Sequence, residues 1–363
     1  MTSRIVAFTS SLKLGGTARV LVTIMNYYHT LGYRITVVTG TLDGDIISHR
    51  ISPEIEIKEL SFTSSKSALF KIIRFIKEEC FDYAFAFSPE LAIDIFVAKS
   101  IAKRNFKIIC RCINTLSVEY KHSDGFFRRY ITFALVKIFL KKIDLVIAQS
   151  MKMQNDLIEN IGLSSRKIVT ITNPLDTKFE MEIDSTIRYS KKNYILYVGR
   201  FEKQKGLDIL IRSFKNIKNE SIELYLVGRG SMQSHLERLA LNLGVDSRIR
   251  FIPFTDRIET YYRQAKVTVL TSYYEGFPNA LVEALACGSP VVSFDLPSGP
   301  SEIIMDGLNG FLVKYLDEDD LTKKIQLALY MDWDLETVKE TARRFSQIYT
   351  LPKYERILRE MES

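Results

Sequence analysis

Lys266-Val-Thr-Val-Leu-Thr-Ser-Tyr-Tyr-Glu275-Gly-Phe-Pro278-Asn-Ala-Leu-Val-Glu283-Ala-Leu-Ala286 is a strand, a turn and a helix in succession. The β-branched run at 266–270 predicts a buried strand. A glycine and Pro278 follow, with the proline at the first helical position, where its missing N–H would be an orphan anyway. The helix expected over 279–286 is apolar on one side. Its free first-turn N–H groups face whatever lies beyond the strand end, with the positive end of the helix dipole behind them. Glu275 in the loop can accept hydrogen bonds from sugar hydroxyls. Glu283, eight residues on, can take a vicinal diol such as a ribose. A plainer alternative is a surface helix with two ordinary glutamates, since pairs at this spacing are common.

Working outward, the chain alternates β-rich runs with helical patterns. In the first half, strands are expected at 4–8, 34–39, 83–87, 107–112, 145–148 and 168–171. Helices are expected at 18–31, 66–79, 89–103, 126–141 and 150–161. Residues 175–192 are polar and aperiodic and read as a linker. The pattern then restarts, with strands at 194–198, 223–227, 249–251, 267–270 and 291–294. Such alternation argues for parallel sheets covered on both faces. The fold class expected is α/β, two doubly wound Rossmann-like domains facing across a cleft, with ligands at the carboxyl ends of strands. The boundaries are 1–174, a linker at 175–192, 193–350, and a last helix at 351–363.

Hydrophobic residues at 46% and charged residues at 26% are ordinary for a soluble globular protein. No run of 18 or more apolar residues occurs, so a membrane-spanning helix is not expected. The four cysteines show neither a CxxC pair nor a disulfide framework, and with only four histidines no zinc site is expected. The thiols fit a reducing cytoplasm. The net charge of +7 falls almost entirely in residues 1–190. Nucleic acid and an anionic membrane surface both explain a basic half. The stretch Phe126-Phe-Arg-Arg-Tyr-Ile-Thr-Phe-Ala-Leu-Val-Lys-Ile-Phe-Leu-Lys-Lys142 favours the membrane, because a basic helix bearing aromatics can lie among lipid headgroups. A core helix with a solvated basic end is the alternative.

Several further turns carry glycine. Val198-Gly199-Arg200-Phe-Glu-Lys-Gln-Lys205-Gly206 offers a guanidinium fork and a mobile ammonium to a diphosphate. Leu226-Val-Gly228-Arg-Gly230-Ser231 lacks the third glycine of a dinucleotide fingerprint and its acidic partner. Ser10-Ser-Leu-Lys-Leu-Gly15-Gly16-Thr17 lets backbone N–H groups approach an anion, or is a flexible glycine turn. Asp295-Leu-Pro-Ser298-Gly299-Pro300-Ser301-Glu302 is a helix-capping turn with Ser298 or Ser301 as cap. No Asp-x-Asp stands at a strand end, and Asp43-Gly-Asp45 reads as a turn, so no essential metal and no other cofactor is expected.

The string from Ser272 to Val292 closely resembles the Glu-x7-Glu signature of the family 4 retaining glycosyltransferases, enzymes of GT-B architecture. The resemblance implies that Glu275, with the backbone of Gly276, Phe277, Pro278, Asn279 and Ala280, holds a donor sugar and that Glu283 holds the ribose. It implies that Arg200 and Lys205 bind the phosphates and stabilise the departing nucleoside diphosphate, that Gly228 lines the nucleotide pocket, and that Gly15 and Gly16 approach the phosphates. Many members place a histidine where this chain has Cys110-Arg111-Cys112-Ile-Asn114, so Arg111 and Asn114 stand as the substrate contacts there. No catalytic acid or base is implied, in keeping with a front-face retaining mechanism. The same resemblance reaches a bacterial group that uses UDP-sugars (UDP-GalNAc, UDP-Gal or UDP-GlcNAc) to extend saccharides on polyprenyl diphosphate. The expected protein is therefore cytoplasmic and peripheral on the inner membrane face, with a nucleotide-sugar donor, a lipid-linked acceptor and no nucleic acid. A nicotinamide-dependent oxidoreductase and a non-catalytic nucleotide-sugar-binding protein are the alternatives.

Overall fold

The computed structural model describes residues 3–13, 15–42, 47–61, 65–123, 125, 127–187 and 189–362. The chain forms two units, Met1–Asp176 with Ile348–Ser363, and Thr177–Gln347. The Asp43-Gly-Asp45 turn, Phe126 and the Arg128 side chain lie outside the described residues.

The first unit is built on seven parallel strands: β1 (Arg4–Thr9), β2 (Arg34–Thr39), β3 (Glu56–Glu59), β4 (Tyr83–Ala86), β5 (Lys107–Arg111), β6 (Leu145–Ala148) and β7 (Ile168–Thr170). Their order is β3-β2-β1-β4-β5-β6-β7. Alternate residues enter opposite layers. Val6 and Phe8 join Ala84, Ala86 and Ile95 in one core, while Ile5 and Ala7 join Tyr28, Tyr83 and Phe85 in the other. Both faces being covered is why these strands read as apolar runs rather than as alternation. The final helix, Gln347–Glu362, belongs to the second of those cores through Leu351, Tyr354, Ile357 and Leu358. The Tyr28 hydroxyl donates to the Tyr354 carbonyl at 2.8 Å.

The second unit repeats the plan with β8 (Tyr194–Val198), β9 (Glu223–Val227), β10 (Ile249–Ile252), β11 (Val267–Leu270), β12 (Val291–Phe294) and β13 (Gly310–Val313). The order is β10-β9-β8-β11-β12-β13. The chain winds outward from β8 through β9 to β10, then returns to β11 on the other side of β8. The strand order therefore reverses between β8 and β11, the place where open α/β sheets gather ligands at the carboxyl ends of their strands. In the first unit the same reversal lies between β1 and β4.

Several elements differ from the sequence reading. β3 is an edge strand of four residues, Glu56-Ile-Lys-Glu59; its charges blunt an unpaired edge and hide the strand from a hydrophobicity count. β13, also four residues long, lies at the other sheet's edge. Residues 175–192 are not simply a linker, because the helix Thr177–Ile183 buries Phe179 and Ile183 in the second unit. The helix expected at 126–141 is instead a π-helical stretch, Phe127–Thr132, followed by an α-helix, Phe133–Leu140.

Arg111 requires a correction. It ends β5 with 1% exposure, so its guanidinium has almost no surface to offer a ligand. Its Nη2 donates to Asn173 Oδ1, its Nε donates to the Tyr354 hydroxyl at 3.3 Å, and the guanidinium lies 5.9 Å from the Phe87 ring centre. A planar five-donor group joins the sheet to a loop and to the returning helix. Replacing Arg111 with Ala should cost about 2–4 kcal/mol through the cavity and the lost bonds, read as a lower urea midpoint at unchanged slope. Lost activity at an unchanged midpoint would instead make Arg111 a substrate contact.

Candidate functional site

The turns leaving β9, β8 and β11 lie side by side and are laced together. On one side, Phe201 N–H donates to the Arg229 carbonyl at 2.9 Å, and the Ser231 hydroxyl and N–H both bond the Glu202 carboxylate, at 2.6 and 3.1 Å. Those two bonds hold the Glu202 carboxyl below the usual carboxylate range. On the other side, Gln204 Nε2 donates to the Tyr274 carbonyl and Tyr273 N–H donates to the Gln204 carbonyl, each at 2.8 Å. The Thr271 hydroxyl donates to the Lys205 carbonyl at 3.1 Å.

Such close approach requires glycine, at Gly206 and Gly228 among others. Gly206 has φ +58°, and a Cβ there would lie 2.3 Å from the Thr271 carbonyl oxygen. Gly228 has φ +149°, and a Cβ there would lie 1.9 Å from the Gly199 carbonyl oxygen. Any side chain at either residue would push two turns apart.

Against this frame the charged groups converge. Lys205 Nζ lies 2.5 Å from Glu275 Oε1, and the Ser272 hydroxyl donates to the same oxygen at 2.6 Å. Glu275 is only 8% exposed, so its charge is neutralised by groups supplied from two different strands. Arg200 is exposed at the mouth, where Nη2 reaches Gln204 Oε1 at 3.4 Å. Gly276 follows Glu275 directly, and its carbonyl accepts from Gly299 N–H at 3.3 Å, which sets the loop after β12 against the same turn. Phe277 is buried edge-on against Phe345, with ring centres 5.3 Å apart.

The helix Asn279–Ala286 has the bounds expected of it, with Asn279 and Ala280 in its first turn. Pro278 is its N-cap rather than its first helical residue, in extended conformation at φ −78° and ψ 90°. Glu283 lies on this helix, 4% exposed, and its Oε2 accepts from the Tyr262 hydroxyl at 3.3 Å. Neither Ser298 nor Ser301 caps the short helix Pro300–Ile303, whose N-cap is Gly299. The Ser298 hydroxyl is instead buried without a hydrogen-bond partner among the described residues, in the loop that meets Gly276.

The other expected residues lie in the first unit. Gly15 caps the helix Gly16–Thr30 at the carboxyl end of β1, where Arg19 N–H donates to its carbonyl at 3.1 Å. Asn114, in the loop after β5, donates to Glu119 Oε2 at 3.2 Å. Tyr262, Ser272, Gln204 and Glu202 were not singled out from the sequence. A Tyr or Ser gives no signal until its hydroxyl is seen on a carboxylate. Among the described residues no cluster of three His, Cys, Asp or Glu is arranged to hold a metal ion.

Comparison with known proteins agrees with this architecture. The family model described as glycosyl transferases group 1 matches residues 178–347, and that described as glycosyltransferase family 4 matches residues 14–179. The chain is 26% identical over 360 residues, 96% of each protein, to an N-acetylgalactosamine-N,N'-diacetylbacillosaminyl-diphospho-undecaprenol 4-alpha-N-acetylgalactosaminyltransferase of Campylobacter jejuni. Among solved structures it is similar to Anabaena HepE in complex with UDP-glucose, with TM-score 0.81, 20% identity and coverage of 99% of this chain and 100% of that one. It is also similar to a sucrose-phosphate synthase of Thermosynechococcus elongatus, with TM-score 0.83, 19% identity and 99% of each chain covered. These matches share the two-domain α/β fold of GT-B enzymes and set aside the nicotinamide-dependent alternative. With both halves matched, the chain belongs to the family 4 glycosyltransferases.

Proposed function

We propose that this glycosyltransferase moves a hexose or N-acetylhexosamine from a UDP-sugar to a saccharide carried on polyprenyl diphosphate, with retention of the α configuration. The observation that carries the reading is the meeting of Lys205 and Glu275 at the reversal of strand order. A cation for phosphate and a carboxylate for sugar hydroxyls stand side by side there, with Arg200 at the mouth. The choice of acceptor and donor is supported by the Campylobacter jejuni relatives, whose names specify transfer of N-acetylgalactosamine to diphospho-undecaprenol saccharides.

In this reading the donor's diphosphate takes over Lys205 and joins Arg200, and its sugar hydroxyls replace Lys205 on Glu275. Glu283, held by Tyr262, takes the ribose. The bond from sugar C1 to phosphate oxygen breaks with its electron pair going to UDP. The acceptor hydroxyl bonds C1 on the same face and gives its proton to the departing phosphate oxygen. Arg200 and Lys205 stabilise the charge that develops, so the reaction calls on no metal and no protein base.

Acceptors of this kind lie in a membrane, and no described helix is long and apolar enough to cross one. The segment after residue 126 supports peripheral attachment to an anionic cytoplasmic face. Phe127, Tyr130, Ile131, Leu135 and Ile138 recur at helical spacing and are all exposed, while only Val136 and Leu140 are buried. Arg129, Lys137, Lys141 and Lys142 flank them, each cation being worth about 1 kcal/mol at an anionic surface.

Three outcomes test the reading. Lys205→Ala and Glu275→Ala should each lower kcat/KM for a UDP-sugar and lipid-linked acceptor about a hundredfold or more. Turnover at the wild-type rate would defeat the assignment. Tyr262→Phe should raise KM for the donor roughly fivefold, the loss of one buried hydrogen bond, with kcat nearly unchanged. Changing both Ile131 and Ile138 to Glu should cut retention on phosphatidylserine vesicles about tenfold or more at unchanged thermal midpoint. Equal retention would remove this face from the membrane.

A further inference from the structure

Away from the donor crevice, the second unit holds a cavity of about 290 Å³ where the chain entering β8 passes the end of helix Asn279–Ala286 and the start of helix Leu335–Glu340. Its apolar wall includes Ile187, Trp333 and Leu335. Most of its polar groups are paired. Arg263 makes a two-bonded pair with Glu182 and also donates to the Tyr189 hydroxyl at 3.1 Å. Lys339 Nζ reaches Glu336 at 3.3 Å and the Ser185 carbonyl at 2.8 Å.

Lys191 is different. Its Nζ donates to the Gly288 carbonyl at 2.8 Å, and among the described residues it has no carboxylate within 4 Å. The nearby charges do not favour an ammonium. The Lys339 stem passes the same Gly288, its Cε 3.5 Å from where a Cβ there would stand, and Lys339 is a like charge. Cys287, the neighbouring group of opposite tendency, is kept a neutral thiol because burial pushes its pKa well up. We propose that Lys191 is a nucleophilic modification site, taking an acyl group from a small acyl phosphate admitted by the cavity.

The chemistry balances without further reagents. The amine lone pair attacks the carbonyl carbon, the bond from that carbon to phosphate oxygen breaks with its electron pair, and the amine proton leaves with the phosphate. Burial makes this possible by lowering the Lys191 pKa to about 8, from the ordinary lysine value. At pH 7.5 that leaves on the order of a hundredfold more free amine than an exposed lysine has. Lower basicity also reduces intrinsic nucleophilicity, so a net preference of roughly tenfold is expected. An amide at Nζ would keep one donor but lose the charge, at the strap between the entry to β8 and the end of the helix that carries Glu283.

The test is to treat the whole protein with limiting acetyl phosphate at pH 7.5 and to follow each lysine by peptide mass spectrometry. Lys191 should be acetylated several-fold faster than exposed lysines such as Lys13 and Lys203. The preference should vanish in concentrated urea, and Lys191→Arg should remove that labelled site alone. Acetylation of Lys191 at or below the median lysine rate would overturn the proposal. So would a preference that survives unfolding, or inorganic phosphate giving full protection with no acetylated product, which would mark an anion site instead.

Discussion

The turn after β8 and the turn after β11 approach so closely that Gly206 has no room for a side chain against the Thr271 carbonyl. The rest of the donor crevice depends on that contact. It brings the Lys205 ammonium onto the Glu275 carboxylate and lets Gln204 hold the backbone at Tyr273 and Tyr274. Strand order explains why the contact exists. β8 and β11 are neighbours in the sheet although two crossover units separate them in sequence, so the turns that leave them start side by side.

In the proposed reading, the Lys205–Glu275 ion pair holds the place of a donor. A carboxylate with 8% exposure needs a partner, and Lys205 and Ser272 supply it within the protein. A donor with anionic phosphate at one end and hydroxyls at the other can satisfy both members at once. In the proposed reading, the donor takes the place of these internal contacts. The orphaned Ser298 hydroxyl is the one buried side-chain oxygen among the described residues left without a partner, and it belongs to the loop that meets Gly276.

Burial separates the structural cations from the chemical ones. Arg111 is planar and always charged, and it is spent on holding β5, Asn173 and Tyr354 together. Lys191 is a flexible amine that burial moves toward neutrality, in a cavity whose Glu182 and Glu336 carboxylates are engaged by Arg263 and Lys339. Arg200 remains exposed, as its proposed role on a diphosphate requires. These roles follow from the surroundings of each group, not from its residue type.

Much of the fold was legible in the chain. Apolar runs marked eleven of the strands because both faces of each sheet are covered, and the helix at 279–286 was bounded by Pro278 and Cys287-Gly288. The two missed strands are four-residue edges: charge hides Glu56-Ile-Lys-Glu59, while Gly310-Phe-Leu-Val313 is apolar but opens on a glycine that reads as a turn. The helix inside residues 175–192 was hidden because its apolar residues are few and find their partners far along the chain. For the site, glycine turns at strand ends and the two glutamates marked where a ligand would lie. Only the tertiary structure decided that Arg111 is buried, that Tyr262 holds Glu283, and that Lys191 has no carboxylate within 4 Å among the described residues. Local sequence encodes turns and faces, because these depend on neighbours within a few residues. Which polar groups meet, and which are left alone, depends on residues some twenty to two hundred and forty positions apart.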